Sequence, residues 1–253
     1  MIHLPMIQGS DEWLRARMGK PTASEFERLI TPAKRETKDG EIKGWLPTKG
    51  ETRRAYAIYL LTELILDMPL AGVNTAAMEH GKAWEPKARA AYEMMHGVDV
   101  ELCGFCTNDE GTIGASPDGF VGEDGSIEIK CPERPEIHCG YMVNPQSFVD
   151  EYFAQTQGQL FVTGRKWTDQ ISYFGGMPMV TVRVLPEPEF QKRLGEALRL
   201  FVNDLALYVD MAKGKGWIKD SVARAPRDYS KDFLSAEDEE MLVAALRQDQ
   251  RCE

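Results

Sequence analysis

No run in this chain is apolar enough for long enough to cross a bilayer. The longest, around Ala57 to Leu66, is interrupted by Thr62 and Glu63, whereas a spanning helix needs about 20 predominantly apolar residues. An N-terminal signal pattern is also missing. The cysteines are sparse and odd in number, five in all at 103, 106, 131, 139 and 252, which argues for a reducing cytoplasm. At 253 residues the chain can bury a full core without disulfide staples. It has no internal repeat and no linker rich enough to mark a domain boundary. Positive charge is in deficit, with 30 Lys and Arg against 40 Asp and Glu, a net −10. Such a chain repels a polyanion on average. The deficit is uneven, however. Residues 15 to 54 carry eleven basic and six acidic side chains, a local +5, while Glu237 to Glu240 hold part of the acidic excess. A basic surface on an acidic body stays open.

Periodicity and stop signals predict the elements. A short helix is expected over 10–18, with Trp13, Leu14 and Met18 on its apolar side and Gly19 and Pro21 ending it. Thr22 to Glu25 is a capping-box pattern before Phe26, Leu29 and Ile30. A Pro-, Gly- and Lys-rich loop fills 31–47, and a second capping box, Thr48 to Glu51, opens a helix to about Leu66. A third helix is expected from Thr75 to His96, stopped by Gly97, with a kink or fresh start at Pro86. Strands follow at 98–107, 112–116 and 126–131, then a helix near 147–162, strands near 169–174 and 179–185, and a long helix over 187–212. The tail, 217–253, has Trp217 in a loop and a last helix from Ser235. The expectation is one α/β domain over 1–216, with a helical part at 1–97, a core at 98–185 and a C-terminal extension beyond 216.

The chemistry concentrates between Ser116 and Cys131. Gly122, Asp124 and Gly125 supply a turn. After it, Ile127, Ile129 and Cys131 alternate with Glu128 and Lys130, so the two charges share one face of a strand. Asp118 arrives beside them from the preceding strand. Two carboxylates and an ammonium can hold a hard divalent cation and a phosphate; Glu85 would make a third carboxylate. Taken alone, each has a plainer use: a half-buried strand with solvated charges, and a solvated helical glutamate. Cys103 and Cys106 form a CxxC pair, but on a strand these positions point to opposite faces, and a structural zinc wants about four ligands. Isolated core thiols are the expectation there.

Longer motifs add a resemblance. Asp118 followed by Glu128-Ile129-Lys130 matches the PD-(D/E)xK nuclease pattern, with Pro117 directly before Asp118. Trp13 to Gly19, Thr22 to Glu25, Gly81 to Glu85, Ser116 to Gly119, Glu128 to Pro132 and Ala154 to Gln157 resemble, in order and spacing, the phage lambda exonuclease family, also called the YqaJ-like viral recombinase nucleases. The likeness spans roughly residues 8 to 185.

That resemblance implies a restriction-endonuclease-like core, a central mixed sheet flanked by helices. It implies a Mg²⁺-dependent exonuclease that digests one strand of double-stranded DNA from the 5′ end, releasing mononucleotides and leaving a 3′ single-stranded tail. It further implies a two-ion site in which Mn²⁺ can substitute, a homotrimeric ring, a single-strand annealing protein as partner, and a phage or prophage origin. By motif, Asp118, Glu128 and the Ile129 carbonyl match metal ligands. Glu85 matches a water-positioning residue, Lys130 the catalytic lysine and Gln157 the helix glutamine beside the centre. Arg17, Ser24 and Ser116 match positions that hold the 5′-terminal phosphate, and Met78 an apolar wedge at the fork. Lys34 and Arg35, in the basic loop, are candidate DNA-backbone contacts. Plainer roles remain for several: Ser24 as a helix cap, Arg17 and Gln157 as solvated helix residues, Met78 as a core filler. Two other activities stay open on the same core, a site- or structure-specific endonuclease and a non-catalytic DNA-end-binding protein.

Overall fold

The computed structural model describes residues 1–32, 44–70 and 76–218. The expected contacts at Lys34 and Arg35 and the expected helix from Ser235 lie outside the described residues.

In chain order the elements are β1 (Ile2–Leu4), α1 (Asp11–Arg17), a 3-10 helix (Ala23–Arg28), β2 (Ile30–Pro32), β3 (Trp45–Pro47), α2 (Glu51–Leu66) and α3 (Ala76–His96). There follow β4 (Val100–Glu101), β5 (Phe105–Thr107), β6 (Gly114–Ala115), β7 (Gly119–Val121) and β8 (Gly125–Lys130). The remainder is α4 (Pro135–Val143), α5 (Pro145–Glu151), α6 (Phe153–Thr163), β9 (Trp167–Ser172), β10 (Val180–Val184) and α7 (Pro188–Gly214). None of the described helices is long and apolar enough to cross a membrane.

The central sheet is mixed and five-stranded, in the order β10-β9-β8-β7-β4. β8 and β9 run parallel, and the other neighbours are antiparallel. A parallel pair needs a crossover, which α4, α5 and α6 provide between Lys130 and Trp167. β8 is buried on both faces. Ile127 and Ile129 pack with Ala88 and Tyr92 of α3 and Ile171 of β9. On the other face Glu128 meets α6. Asp169 of β9 is buried and takes Tyr92 Oη at 2.7 Å and two bonds from Arg183 at 2.8 Å each, so the carboxylate has partners from α3 and β10.

The larger core joins the N-terminal segments to α7. Phe26, Leu29, Tyr56, Leu60, Phe190, Leu194 and Phe201 lie within it. Phe190 packs edge-on to Trp45 at 4.7 Å and to Phe153 at 4.9 Å. The sharp corner after α1 depends on Gly19, whose φ of 68° is left-handed and whose Cβ position would lie 2.5 Å from Leu64.

Several expectations change. The part at 1–97 is not purely helical: β1 pairs with β5 in a second sheet, β1-β5-β6. Both ends of the expected 31–47 loop are strand, pairing Ile30–Pro32 with Trp45–Pro47. Thr22 makes no capping bond, and the turn it precedes is 3-10. Gly50 rather than Thr48 caps α2. α3 runs unbroken through Pro86. The strand expected over 98–107 is interrupted at 102–104, the helix near 147–162 breaks at Tyr152, and α4 was not anticipated. We expect Phe190→Ala to lower unfolding stability by about 3–5 kcal/mol, measured by urea denaturation; a loss within about 0.5 kcal/mol, typical of surface positions, would contradict this packing.

Candidate active site

The hairpin β7–β8 and helix α6 set the floor of the site. Glu128 points from β8 toward α6 and is only 3 % exposed. Its Oε1 accepts from Lys130 Nζ at 2.8 Å and Gln155 Nε2 at 2.5 Å, and its Oε2 from Gln159 Nε2 at 2.6 Å. Lys130 Nζ also donates to Gln155 Oε1 at 3.2 Å and lies 4.6 Å from the Tyr152 ring centre. Asp118 sits just before β7, where its Oδ2 accepts from the Ile129 N–H at 2.6 Å. The backbone of Ile129 thus fixes one oxygen of Asp118. Glu85 reaches the cluster from α3 and is paired with Arg89 at 3.2 Å, one turn on.

The electrostatics of this floor are unbalanced. Burial, then the nearby Glu128 and Glu85, hold Asp118 well above the usual carboxylate range. Burial also raises Glu85, against the pull of Arg89 and with the push of Glu128. For Lys130 burial alone would lower the ammonium, but Glu128 and Asp118 outweigh it and the net shift is upward. Three carboxylates therefore face one lysine and one arginine already committed to Glu85. Such a donor set suits a hard, oxygen-seeking divalent cation that keeps several waters. The three carboxylates do not all close to within 4.8 Å of one another, so they do not form a tight cage of three acids.

A cationic cluster lies along the same cleft. The cavity holds about 1220 Å³, and its walls include Arg17, Lys20, Ser24, Met78, Lys82, Glu85 and Asp118. Arg17 stacks on Trp13 at 4.2 Å and donates to Thr22 Oγ1 at 3.2 Å and Ser24 Oγ at 3.4 Å. Trp13 Nε1 donates to Ser116 Oγ at 2.9 Å and Gly104 O at 3.2 Å. Burial lowers the Arg17 guanidinium, opposed by Tyr56, Glu25 and Glu63, yet arginine stays charged at any working pH. Behind the corner, Glu63 accepts from the Gly19 N–H at 2.9 Å and the Leu70 N–H at 3.1 Å.

Arg17 and Ser24 are thus brought together, and Ser116 joins them through Trp13 rather than directly on the cavity wall. Ser116 and Asp118 are not two residues of one strand. They link β6 of one sheet to β7 of another. Met78 is about half exposed on the cleft wall, and so is not a core filler. Contrary to expectation, Gln157 does not lie beside the carboxylates. It is fully buried on the far side of α6, where its Nε2 donates to Leu185 O at 2.8 Å and its Oε1 accepts from the Glu187 N–H at 2.9 Å and Gln191 Nε2 at 2.7 Å. Gln155 and Gln159, four apart and so on one face, take the place beside Glu128. Sequence reasoning also missed Trp13 and Thr22 as individual contributors. The (i, i+4) glutamine pair was the signal for α6; choosing its face needed the helix phase.

The raised carboxylate makes a stability prediction. A group raised on folding favours the fold fully below its unfolded pKa, about 3.9 for Asp, and that contribution is lost as pH rises through the folded value. In metal-free buffer Asp118→Asn should therefore be more stable than the parent at neutral pH, with the gain shrinking as pH falls through the raised folded value and gone below about 4. Thermal unfolding across pH with chelator checks it; a variant less stable at neutral pH would contradict the charge imbalance.

The family model described as the YqaJ-like viral recombinase domain matches residues 12–166. No curated protein matches the chain. Among solved structures, an alkaline exonuclease, LHK-Exo, from Laribacter hongkongensis is 29% identical, with a TM-score of 0.68 over 82% of this chain and 98% of that one. Its complex with dAMP gives a TM-score of 0.67 at the same identity and coverage. A phage related exonuclease from Haemophilus somnus 129PT, 14% identical, shares the fold alone, with a TM-score of 0.57 over 78% of this chain and 96% of that one. The family match covers more than half of the chain and includes Arg17, Ser24, Glu85, Ser116, Asp118, Glu128 and Lys130. The chain belongs to the YqaJ-like viral recombinase family, which is the phage lambda exonuclease family that its motifs resemble.

Proposed function

We propose that this protein is a Mg²⁺-dependent 5′→3′ exonuclease on double-stranded DNA ends, built on a PD-(D/E)xK core. The observation that carries the reading is one cleft with two chemistries: Arg17 and Ser24 line it together with Asp118 and Glu85. A terminal phosphate and the next phosphodiester along the strand would each find a complementary group. The dAMP held by LHK-Exo supports a deoxynucleotide as the released product.

Asp118 and Glu128, with the Ile129 carbonyl, are the groups that would hold Mg²⁺. When bound, Mg²⁺ supplies Lewis-acid polarisation of the phosphodiester. Arg17, a planar fork suited to phosphate, binds the 5′-terminal phosphate, assisted by the Ser24 hydroxyl. The scissile phosphorus then lies toward Asp118. Water attacks it, the P–O3′ bond breaks, the departing O3′ takes a proton from solvent to become a hydroxyl, and the released mononucleotide keeps its own 5′ phosphate. Glu85, with its raised carboxyl, accepts a proton from the attacking water. Lys130 Nζ, charged and held by Glu128 and Gln155, donates to the phosphate oxygens as charge builds on them. The shortened strand carries a new 5′ phosphate, which the Arg17 pocket can take next. Met78, half exposed on the cleft wall, would part the strands as an apolar wedge. A trimeric ring and delivery of the 3′ tail to a single-strand annealing protein complete the reading.

A linear duplex labelled separately at each 5′ and 3′ end tests activity, polarity and metal need together. The 5′ label should be released first, only with Mg²⁺ or Mn²⁺, and a covalently closed circle should stay intact. Cutting of the closed circle would favour an endonuclease, and no release at all would favour an end-binding protein. Asp118→Ala and Glu128→Ala should abolish digestion, and Lys130→Ala should slow it by about 10²–10³-fold. Arg17→Ala should erase the preference for 5′-phosphorylated over 5′-hydroxyl ends; equal rates in the parent would contradict the pocket. Gln157→Ala should cost about 1–3 kcal/mol of stability while leaving turnover of the folded enzyme unchanged. Gln155→Ala should lower turnover as well as stability, because it takes a donor from the buried Glu128.

A further inference from the structure

A second donor set lies outside the carboxylate floor. A ring nitrogen of His3 and the sulfurs of Cys103 and Cys106 all fall within 4.8 Å of one another. The two Sγ atoms are 3.5 Å apart, and both cysteines are free thiols. The reason for the convergence is topological. His3 and Cys106 are directly paired across β1 and β5, so their side chains share one face of the ladder. On a regular strand Cys103 would point away from Cys106, but the chain is not strand at 102–104. The bend there depends on Gly104, whose Cβ position would lie 2.4 Å from Leu4 O and 2.5 Å from Met6 N. It turns Cys103 back onto the side of Cys106 and His3.

We propose that His3, Cys103 and Cys106 form a zinc site that clamps the N-terminal strand to β5. In tetrahedral geometry with Zn–S near 2.3 Å, two thiolates stand about 3.8 Å apart, close to the spacing already present. One imidazole and two thiolates are ligands that zinc favours over the oxygen-seeking Mg²⁺. His3 Nε2 is a buried atom with no hydrogen-bond partner among the described residues, while the ring packs edge-on against Phe120 at 5.4 Å. With three protein ligands the fourth position falls to water. Binding displaces the thiol protons to solvent, and no oxidant or reductant is involved.

The clamp stands next to the cleft. Gln8 Nε2 donates to Cys103 O at 2.7 Å and to Pro117 O at 2.8 Å, and Trp13 bridges Gly104 O and Ser116 Oγ. A cation fixing Cys103 would therefore steady the link that carries Ser116 and Asp118. The site itself is independent of whether the cleft cuts DNA.

The test uses the full chain, purified reduced and without a polyhistidine tag, and loaded with zinc alone or cobalt alone. After dialysis into metal-free buffer the parent and Asp118→Asn should each retain one zinc per chain. Cys106→Ser and His3→Gln should lose affinity by at least about tenfold. Cobalt in the parent should show a thiolate-to-metal charge-transfer band in the near ultraviolet, absent from Cys106→Ser. The cobalt spectrum of the parent decides the matter even if a variant fails to fold. No retained zinc and no charge-transfer band in the parent, or a disulfide between the two cysteines under the same reducing conditions, would overturn the proposal. So would zinc lost by Asp118→Asn and kept by Cys106→Ser.

Discussion

A carboxylate taken almost wholly out of water is the constraint around which this molecule is arranged. Glu128 lies in the middle of a strand buried on both faces, where an unpaired charge is costly. Lys130 is its only charged partner among the described hydrogen bonds, and two amides of α6 take the remaining approach. That need explains why α6 crosses over β8 with glutamines at 155 and 159. It also explains why Lys130 stays charged although it is largely enclosed. Asp118 adds a second carboxylate, pinned to the backbone of Ile129, and leaves the floor with more negative charge than the protein supplies positive. A protein built only for stability would not retain that imbalance. A divalent cation would remove it.

Trp13 plays the corresponding part for the cationic wall. One indole supports Arg17 on its face and ties Ser116 and Gly104 with its N–H. The β1–β5–β6 sheet, the corner at Gly19 and the Ser116–Asp118 link are thereby held in one piece. The cationic groups come from α1 and the 3-10 helix and Asp118 from the start of β7, and the three-residue link between β6 and β7 joins Ser116 to Asp118. Substitutions at Trp13 therefore act on position more than on charge.

Much of this was legible in the amino-acid sequence, and the failures have physical causes. The alternation Ile127, Glu128, Ile129, Lys130 placed both charges on one face, because strand periodicity survives burial. It could not show that the polar face would also be buried, since that depends on α6 arriving over it. The phase of α6 was misjudged for a related reason. Tyr152 breaks the preceding helix, so no continuous periodic pattern marks which of Gln155, Gln157 and Gln159 look inward. Cys103 and Cys106 were expected to diverge on a strand that Gly104 in fact interrupts. Thr22 looked like a cap but serves Arg17. Local pattern was reliable within elements and misleading where a break, a link between sheets or a crossover decided the partner.

The central claim is that the surplus negative charge at Asp118 and Glu128 is a cation site. Calorimetric titration of Mg²⁺ into the metal-free protein, in parallel with Asp118→Asn, tests it without reference to catalysis. The account predicts saturable binding to the parent and a loss of at least about tenfold in affinity in the variant. Absence of saturable binding to the parent, or equal affinity in both proteins, would contradict it.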